Sequence, residues 1–310
     1  MTDRLTAGVR ALAARFRRQR PLRANSLIIT IFGDAITPRG GAVTLGSLIE
    51  LASPFGLSER LVRTSVGRLA DDGWLDNRRV GRLSEYRLSS EGRARFSEAT
   101  RRIYGVPGRE WSGRWTLVIV PHATGTLRAR ARRALAWAGF GEIAPGVFAH
   151  PTMSPQAAEA ERRRSQALDG ALILTTGEAA DPVHRQLAAL GWDLAELSAR
   201  YRRFVAAFEP ALAELRTGTT LRPAAAFLMR TLLIHEYRRI HLRDPLLPEA
   251  LLPTRWIGTA AYRLCRTLYG EVVVAAEVHL SRVANRLDGA LPGAGSELHD
   301  RFGGLGRNGD

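Results

Sequence analysis

The sequence predicts an α+β multidomain chain: an N-terminal winged helix-turn-helix, a ferredoxin-like βαββαβ middle domain and an all-helical C-terminal domain. Three observations carry this reading. An arginine-faced helical stretch runs straight into a basic hairpin over 58–88, short strands alternate with helices over 114–175, and a helical period holds from Pro182 onward. The expected divisions are a basic arm over 1–23, the winged helix over 24–104, the middle domain over 111–180, the helical domain over 182–288, and a glycine-rich tail over 289–310 expected to be disordered.

In the stretch SERLVRTSVGRLADDGWLDNRRVGRLSEYRLS, Val62, Val66 and Leu69 recur at helical spacing and form one apolar stripe. Arg60, Arg63, Thr64, Gly67 and Arg68 fall on the other side. Gly73 ends the helix, because glycine takes the left-handed cap conformation without steric cost. Strands over Trp74–Arg79 and Leu83–Leu88 follow, joined around Val80–Gly81, with Arg78, Arg79 and Arg82 near the tip. Upstream, Ser26–Ile36 reads as a buried first helix and Leu45–Ala52 as a short second one, broken by Pro54 and Gly56. Ser58 and Glu59 offer N-cap chemistry to the third. Arginines opposite an apolar stripe also describe an ordinary solvated helix face. The full order of helix, helix, turn, helix, hairpin is far more specific, and points to double-stranded DNA. Arg60, Thr64 and Arg68 are then placed to reach base edges, and Arg63, Arg78, Arg79 and Arg82 to grip phosphates.

Charge distribution agrees. The 310-residue chain carries a net charge of +15 and contains no lysine, so all 45 basic residues are arginine. A GC-rich genome produces the same bias. Residues 1–103 hold 19 arginines against 10 acids, which concentrates the surplus where the motif lies. The single cysteine, Cys265, excludes an intramolecular disulfide and any multi-thiolate metal site, and fits a reducing cytoplasm. No apolar run approaches the ~18–20 residues of a membrane span, and the basic N-terminus lacks a signal-peptide core. A cytoplasmic protein without a membrane partner is expected.

Residues 4–23 form the basic arm, with Leu5, Val9, Leu12 and Phe16 on one possible apolar face. It suits a DNA minor-groove arm using Arg17 and Arg18, an anionic-membrane amphipath, a helix docked on a partner subunit, or a loosely ordered tail. Ser89–Tyr104 reads as a helix leaving the wing, and 105–113 as a Gly/Pro linker. The middle domain follows as strand Arg114–Val120, helix Thr126–Ala138, hairpin Phe140–Ala144 and Val147–His150, helix Pro155–Leu168 and strand Ala171–Thr175. Helices are expected over Val183–Ala189, Leu194–Leu215, Ala224–Leu242, Thr254–Leu268 and Glu271–Leu287. The three prolines of RDPLLPEALLP (243–253) force an extended crossing between the third and fourth of these.

Catalytic patterns are missing. In HEYRRIH (235–241) the histidines stand six apart, on opposite sides of a helix, where a zinc protease needs four. There is no GxSxG, no P-loop and no GxGxxG after a strand. No enzyme activity, metal or cofactor is expected. Trp115 and Trp137 read as core aromatics. Arg128, Arg130, Arg132 and Arg133 read as a solvated helix face or as an extension of the DNA-binding surface.

The succession SLIITIFGDAI, GLSERLVRTSVGRLADDGWL, GRLSEYRLSSEGRARF, GRW-LVIV, GFGEIAPGVFAHP and RTLLIHEYRRIHLRDPLLPEALLPTRWIG closely resembles the PaaX-type transcriptional regulators. The resemblance spans roughly 24–285, and its most specific part is the proline-spaced string over 235–258. It implies a homodimeric repressor of aromatic-acid catabolism, with phenylacetyl-coenzyme A or a related aryl-coenzyme A thioester as effector. Arg230, Arg238 and Arg239 then suit the thioester phosphates, with His235 beside them and Tyr237 or Trp256 covering the acyl group. The alternative is structural: His235 and Glu236 anchor the proline loop while Arg238 and Arg239 pair with acids such as Asp244. One departure stands out, since Val120–Pro121–His122 replaces a family pattern like FDIP. The middle domain also resembles small metal-dependent nucleases of CRISPR adaptation, so a nuclease with a DNA-docking winged helix is the opposing reading, weakened by the missing aspartate.

Overall fold

The computed structural model describes residues 2–19, 23–108, 111–121, 124–177 and 181–305. In chain order the elements are α1 (Thr2–Arg17), α2 (Ala24–Ile31), β1 (Ala42–Thr44), α3 (Leu45–Ala52), α4 (Glu59–Asp71), β2 (Leu75–Val80), β3 (Leu83–Leu88) and α5 (Ser90–Tyr104). Next come β4 (Thr116–Ile119), α6 (Gly125–Trp137), β5 (Gly141–Ala144), β6 (Val147–His150), α7 (Pro155–Arg164), β7 (Leu172–Thr175) and α8 (Asp181–Gly191). The last are α9 (Leu194–Arg216), α10 (Pro223–His241), α11 (Ile257–Val283), β8 (Asn285–Arg286), β9 (Gly289–Ala290) and α12 (Ser296–His299). Two compact units emerge. One comprises Met1–Val106, Arg202–Leu242 and Ala260–Asp310, the other Pro107–Tyr201 and Arg243–Thr259. The winged helix and most of the C-terminal helices therefore share a unit, where the sequence suggested separate domains.

Local chemistry explains the winged-helix elements. The Thr44 hydroxyl accepts from the Ser47 N–H at 3.3 Å and caps α3, and the Ser58 hydroxyl accepts from Leu61 N–H at 3.3 Å and caps α4. Leu27, Ile28 and Ile31 of α2, Leu48 and Leu51 of α3, and Val62, Val66 and Leu69 of α4 are buried together as a core. After α2 the chain widens into a π-helical turn over Phe32–Ile36, which turns Asp34 into the interior. The antiparallel sheet runs β1-β3-β2, with the Val80–Leu83 pair closing the wing. A Cβ at Gly92 would lie 2.2 Å from the Trp74 carbonyl oxygen, so only glycine lets α5 start this close to the wing.

The basic arm is a helix folded back on its own unit. Val9, Ala13 and Phe16 are buried, and the Phe16 ring meets Phe55 and His235 edge-on at 6.4 and 5.3 Å. Leu12 is half-buried, and the side chain of Leu5 lies outside the described residues. The methylenes of Arg17 cover Gly56 (φ +81°) at the turn before α4.

α10 is apolar almost all round, with Phe227, Met229, Leu232, Leu233, Ile234 and Tyr237 buried, as suits a central helix. α11 is one continuous helix where two were expected; Gly270 sits within it without breaking it. The tail corrects the expectation of disorder as far as residue 305. Leu298, Arg301 and Phe302 are buried, and β9 pairs with β8. An apolar and a cationic side chain with specific partners anchor a glycine-rich segment that composition alone marks as loose.

In the second unit, all pairs are antiparallel and the strand order is β5-β6-β4-β7, alternating with α6 and α7 in the order βαββαβ. Val118, Phe148, Ala131, Leu135 and Ala158 form the core beneath the two helices. A second cluster gathers Trp115, Ala149, Ala188, Leu247 and Leu251, and the Trp115 indole N–H donates to His184 Nδ1 at 3.0 Å. The proline segment forms no α-helix, as expected, but it is not extended throughout: Leu246 takes a positive φ and Glu249–Leu251 forms a 3-10 turn, and Tyr201 donates to buried Asp244 at 2.8 Å.

Candidate nucleic-acid interface

α4 buries Val62, Ser65, Val66 and Leu69 and exposes Arg60, Arg63, Thr64 and Arg68. The exposed four are the predicted base- and phosphate-facing set. They differ in availability. Arg63 is engaged by Glu59 one turn earlier, at 2.7 and 2.9 Å. The Thr64 hydroxyl donates to the Arg60 carbonyl at 2.9 Å, which leaves its lone pairs and methyl outward. Arg60 and Arg68 have no ion-pair partner among the described residues. On the wing, Arg78, Arg79 and Arg82 are exposed, and Arg79 is steadied by donation to the Gly81 carbonyl at 3.1 Å. Val80 and Leu83 are exposed beside Arg82, so the tip is apolar as well as cationic. Arg17, at the end of α1, and Arg18, just beyond it, are also exposed.

In the same unit lies a buried ionic cluster that the sequence reading missed. Asp34 accepts from Arg230 Nε at 2.7 Å, Arg301 at 2.8 Å, Tyr104 at 2.6 Å and Tyr269 at 3.0 Å. Arg230 also pairs with Glu277, which pairs in turn with Arg39. The Arg301 guanidinium lies 4.1 Å over the Tyr104 ring and donates to Tyr269. α2, α5, α10, α11 and the tail thus converge on one carboxylate. Burial by itself would push the Asp34 carboxyl up, but Arg230, Arg301 and the two phenols outweigh it and hold the group below its ordinary 3.8. The wing has its own anchor: buried Glu85 of β3 accepts from the Leu287 N–H at 2.9 Å, and Ser47 of α3 accepts from Asn285 N–H at 2.9 Å. An aspartate inside the apolar run SLIITIFGDAI was the available signal; its partners lie about two hundred residues away or more, apart from Tyr104.

Comparison with known proteins accords with this arrangement. Residues 23–92 match the PaaX-like protein model, 108–188 the PaaX protein central Cas2-like domain, and 192–282 the PaaX-like protein C-terminal domain. Over 292 residues the chain is 37% identical to the transcriptional repressor PaaX of Escherichia coli (strain K12), covering 92% of each protein. The chain belongs to the PaaX family. A solved structure, the uncharacterized protein Rv0674 from Mycobacterium tuberculosis, is 24% identical with a TM-score of 0.49, covering 74% of this chain and 88% of that one.

The candidate effector residues of this PaaX-family chain need correction. Arg230 is 0% exposed and donates three hydrogen bonds to Asp34 and Glu277, so its guanidinium is turned inward and not toward a phosphate in solution. His235 and Tyr237 are equally buried. Arg238 donates to Thr30 at 2.8 Å and to Ser26 at 2.7 Å, and burial and then Arg239 push its pKa down to about 10. Arg239 is half-buried against Glu236. Trp256 meets Tyr201 edge-on at 6.1 Å in the other unit. The structural alternative fits better, though with other partners: Arg238 holds α2, not Asp244. Val120 packs in the middle-domain core, while His122 lies outside the described residues. Among the described residues no three His, Cys, Asp or Glu gather to hold a metal ion, and no helix is long and apolar enough to cross a membrane.

Two buried histidines make stability depend on pH. The Arg102 carbonyl can only accept, so His241 Nε2 carries the proton donated to it at 2.9 Å, and Nδ1 accepts from Tyr237 at 3.2 Å. Burial lowers His241 to about 4. Burial, then the charges of Arg238, Arg239 and Arg23, keep His235 well below 6.5. In the unfolded chain both bind protons near pH 6.5, so folding is favoured fully above that value and loses ground as pH falls toward 4. Asp34 acts in the same direction at lower pH, through the range below 3.8. Melting temperature is therefore expected to fall steadily from pH 7 to 5, and a flat profile would contradict the burial of neutral imidazoles.

Proposed function

We propose that this chain is a DNA-binding transcriptional repressor that works as a homodimer and is released from its operator by an aryl-coenzyme A thioester such as phenylacetyl-coenzyme A. The observation that carries the reading is the outward face of α4, where Arg60 and Arg68, without an ion-pair partner among the described residues, stand beside Thr64 and next to a cationic, apolar-tipped wing. Arginine forks match guanine O6 and N7 in the major groove, each such contact supplying about 1–3 kcal/mol of discrimination. Arg78, Arg79 and Arg82 neutralise phosphates, and the valine and leucine at the tip suit the sugar walls of a groove better than open water. Two such modules related by two-fold symmetry read a pseudo-palindromic site. The named PaaX relative supports the repressor role, and the family resemblance supports the effector.

Release is a population shift between dimers with matched and mismatched helix spacing, and a tenfold loss of DNA affinity requires about 1.4 kcal/mol of coupling. The burial of Arg230, His235 and Tyr237 against partners of their own weighs against the α10 cluster as the thioester site. The test is a gel shift on the protein's own promoter DNA with phenylacetyl-coenzyme A or free phenylacetate added. Release by the thioester alone is the expected result. Specific binding that ignores the thioester would overturn the effector assignment while leaving the repressor.

A further inference from the structure

The arginines of α6 and α7 fall into two groups. On α7, Arg162 and Arg163 pair with Glu159 and Arg164 with Glu161, at 2.6–3.1 Å. On α6, Arg128 and Arg132 both pair with Glu142, at 3.0 and 3.1 Å. Arg130 and Arg133 stand apart: both are exposed and neither has an ion-pair partner among the described residues. They share a stripe with Trp137, since positions 130, 133 and 137 fall within about 60° of helix arc and span about 10 Å of its axis. Trp137 is 86% exposed, which corrects the expectation that it belongs to the core. Nothing in the fold of α6 requires an indole there, because the helix packs through Ala131 and Leu135.

We propose that the Arg130–Arg133–Trp137 stripe is a second nucleic-acid site, outside the winged helix, and that it takes single-stranded DNA. Two guanidiniums engage successive phosphodiesters while an unpaired base stacks on the Trp137 ring, the pairing of cationic track and aromatic platform that single-strand binders use. Duplex DNA keeps its base faces inside the stack and offers the indole no flat partner. A bilayer needs a broad apolar face, and the apolar face of α6 is buried in its own core. An acidic peptide would satisfy the arginines and leave the indole unmatched. The inference goes beyond operator binding and does not depend on it.

The test titrates the full chain with a short labelled oligo-dT. Arg130→Glu/Arg133→Glu is expected to weaken binding at least tenfold, and Trp137→Ala about five- to hundredfold. Trp137→Phe is expected to keep most of the affinity but lose the fluorescence quenching that binding causes. Arg163→Glu/Arg164→Glu makes the same charge change on paired arginines and should leave binding unchanged. The proposal is overturned if both charge reversals weaken binding equally, or if binding disappears in Arg78→Ala/Arg79→Ala and survives the α6 changes. Tighter binding of polyglutamate or anionic vesicles at the same stripe would overturn it too.

Discussion

Asp34→Ala is expected to lower the unfolding free energy by about 3–5 kcal/mol, the usual effect of removing one partner from a buried ionic cluster. The carboxylate is the shared acceptor for Arg230, Arg301, Tyr104 and Tyr269, all buried. Glu277 still neutralises Arg230 in the variant, but Arg301 is left as a buried cation with no carboxylate partner among the described residues, held by carbonyls, one phenol and the Tyr104 ring. Desolvation of that charge, more than lost bonding, sets the magnitude. Urea unfolding of wild type and variant measures it, with a loss below about 1 kcal/mol counting against the cluster as the keystone of this unit. Because Asp34 follows directly on α2, DNA affinity is expected to fall with stability. Replacing an exposed wing arginine should weaken DNA binding with no change in stability.

Arg60→Ala is expected to erase most of the preference for operator over scrambled DNA, a loss of roughly ten- to hundredfold in the affinity ratio. Arg79→Ala should weaken both duplexes about equally and flatten the salt dependence by ~0.9 in slope for the phosphate contact removed. The contrast follows from position. Arg60 projects from the exposed face of α4 with no ion-pair partner among the described residues, whereas Arg79 lies on the wing, steadied by the Gly81 carbonyl. Gel shifts of both variants on both duplexes separate the two roles, and undiminished discrimination in Arg60→Ala would sink the base-contact assignment.

Elements held by nearby residues were legible in the sequence. α3 stops where Pro54 and Gly56 say it should, and α4 follows Ser58 and the Val62–Val66–Leu69 stripe. The strand and helix order of the middle domain was readable for the same reason. The failures share a long-range cause. Arg230 looked like a phosphate ligand because nothing near it in sequence hints at Asp34, 196 residues away. The tail looked disordered because its glycines are visible locally, and the socket for Arg301 and Phe302 on Tyr104 and Tyr269 is not. α11 runs through Gly270 where two helices were expected: an isolated glycine weakens a helix intrinsically, but the buried neighbours Leu268, Tyr269, Val272 and Val273 hold it through. Trp137 was assigned to the core on residue type alone, and only the orientation of α6 places it in solvent.

A hydroxyl-radical footprint of the full chain on its own promoter DNA tests the central claim most directly. The account predicts two protected half-sites about 10 base pairs, or a multiple of that, apart, with protection weakened by Arg78→Ala/Arg79→Ala and moved off the operator by Arg60→Ala. Protection unchanged by all three substitutions, or none at any promoter sequence, would contradict the assignment of α4 and the wing as the DNA-reading surface.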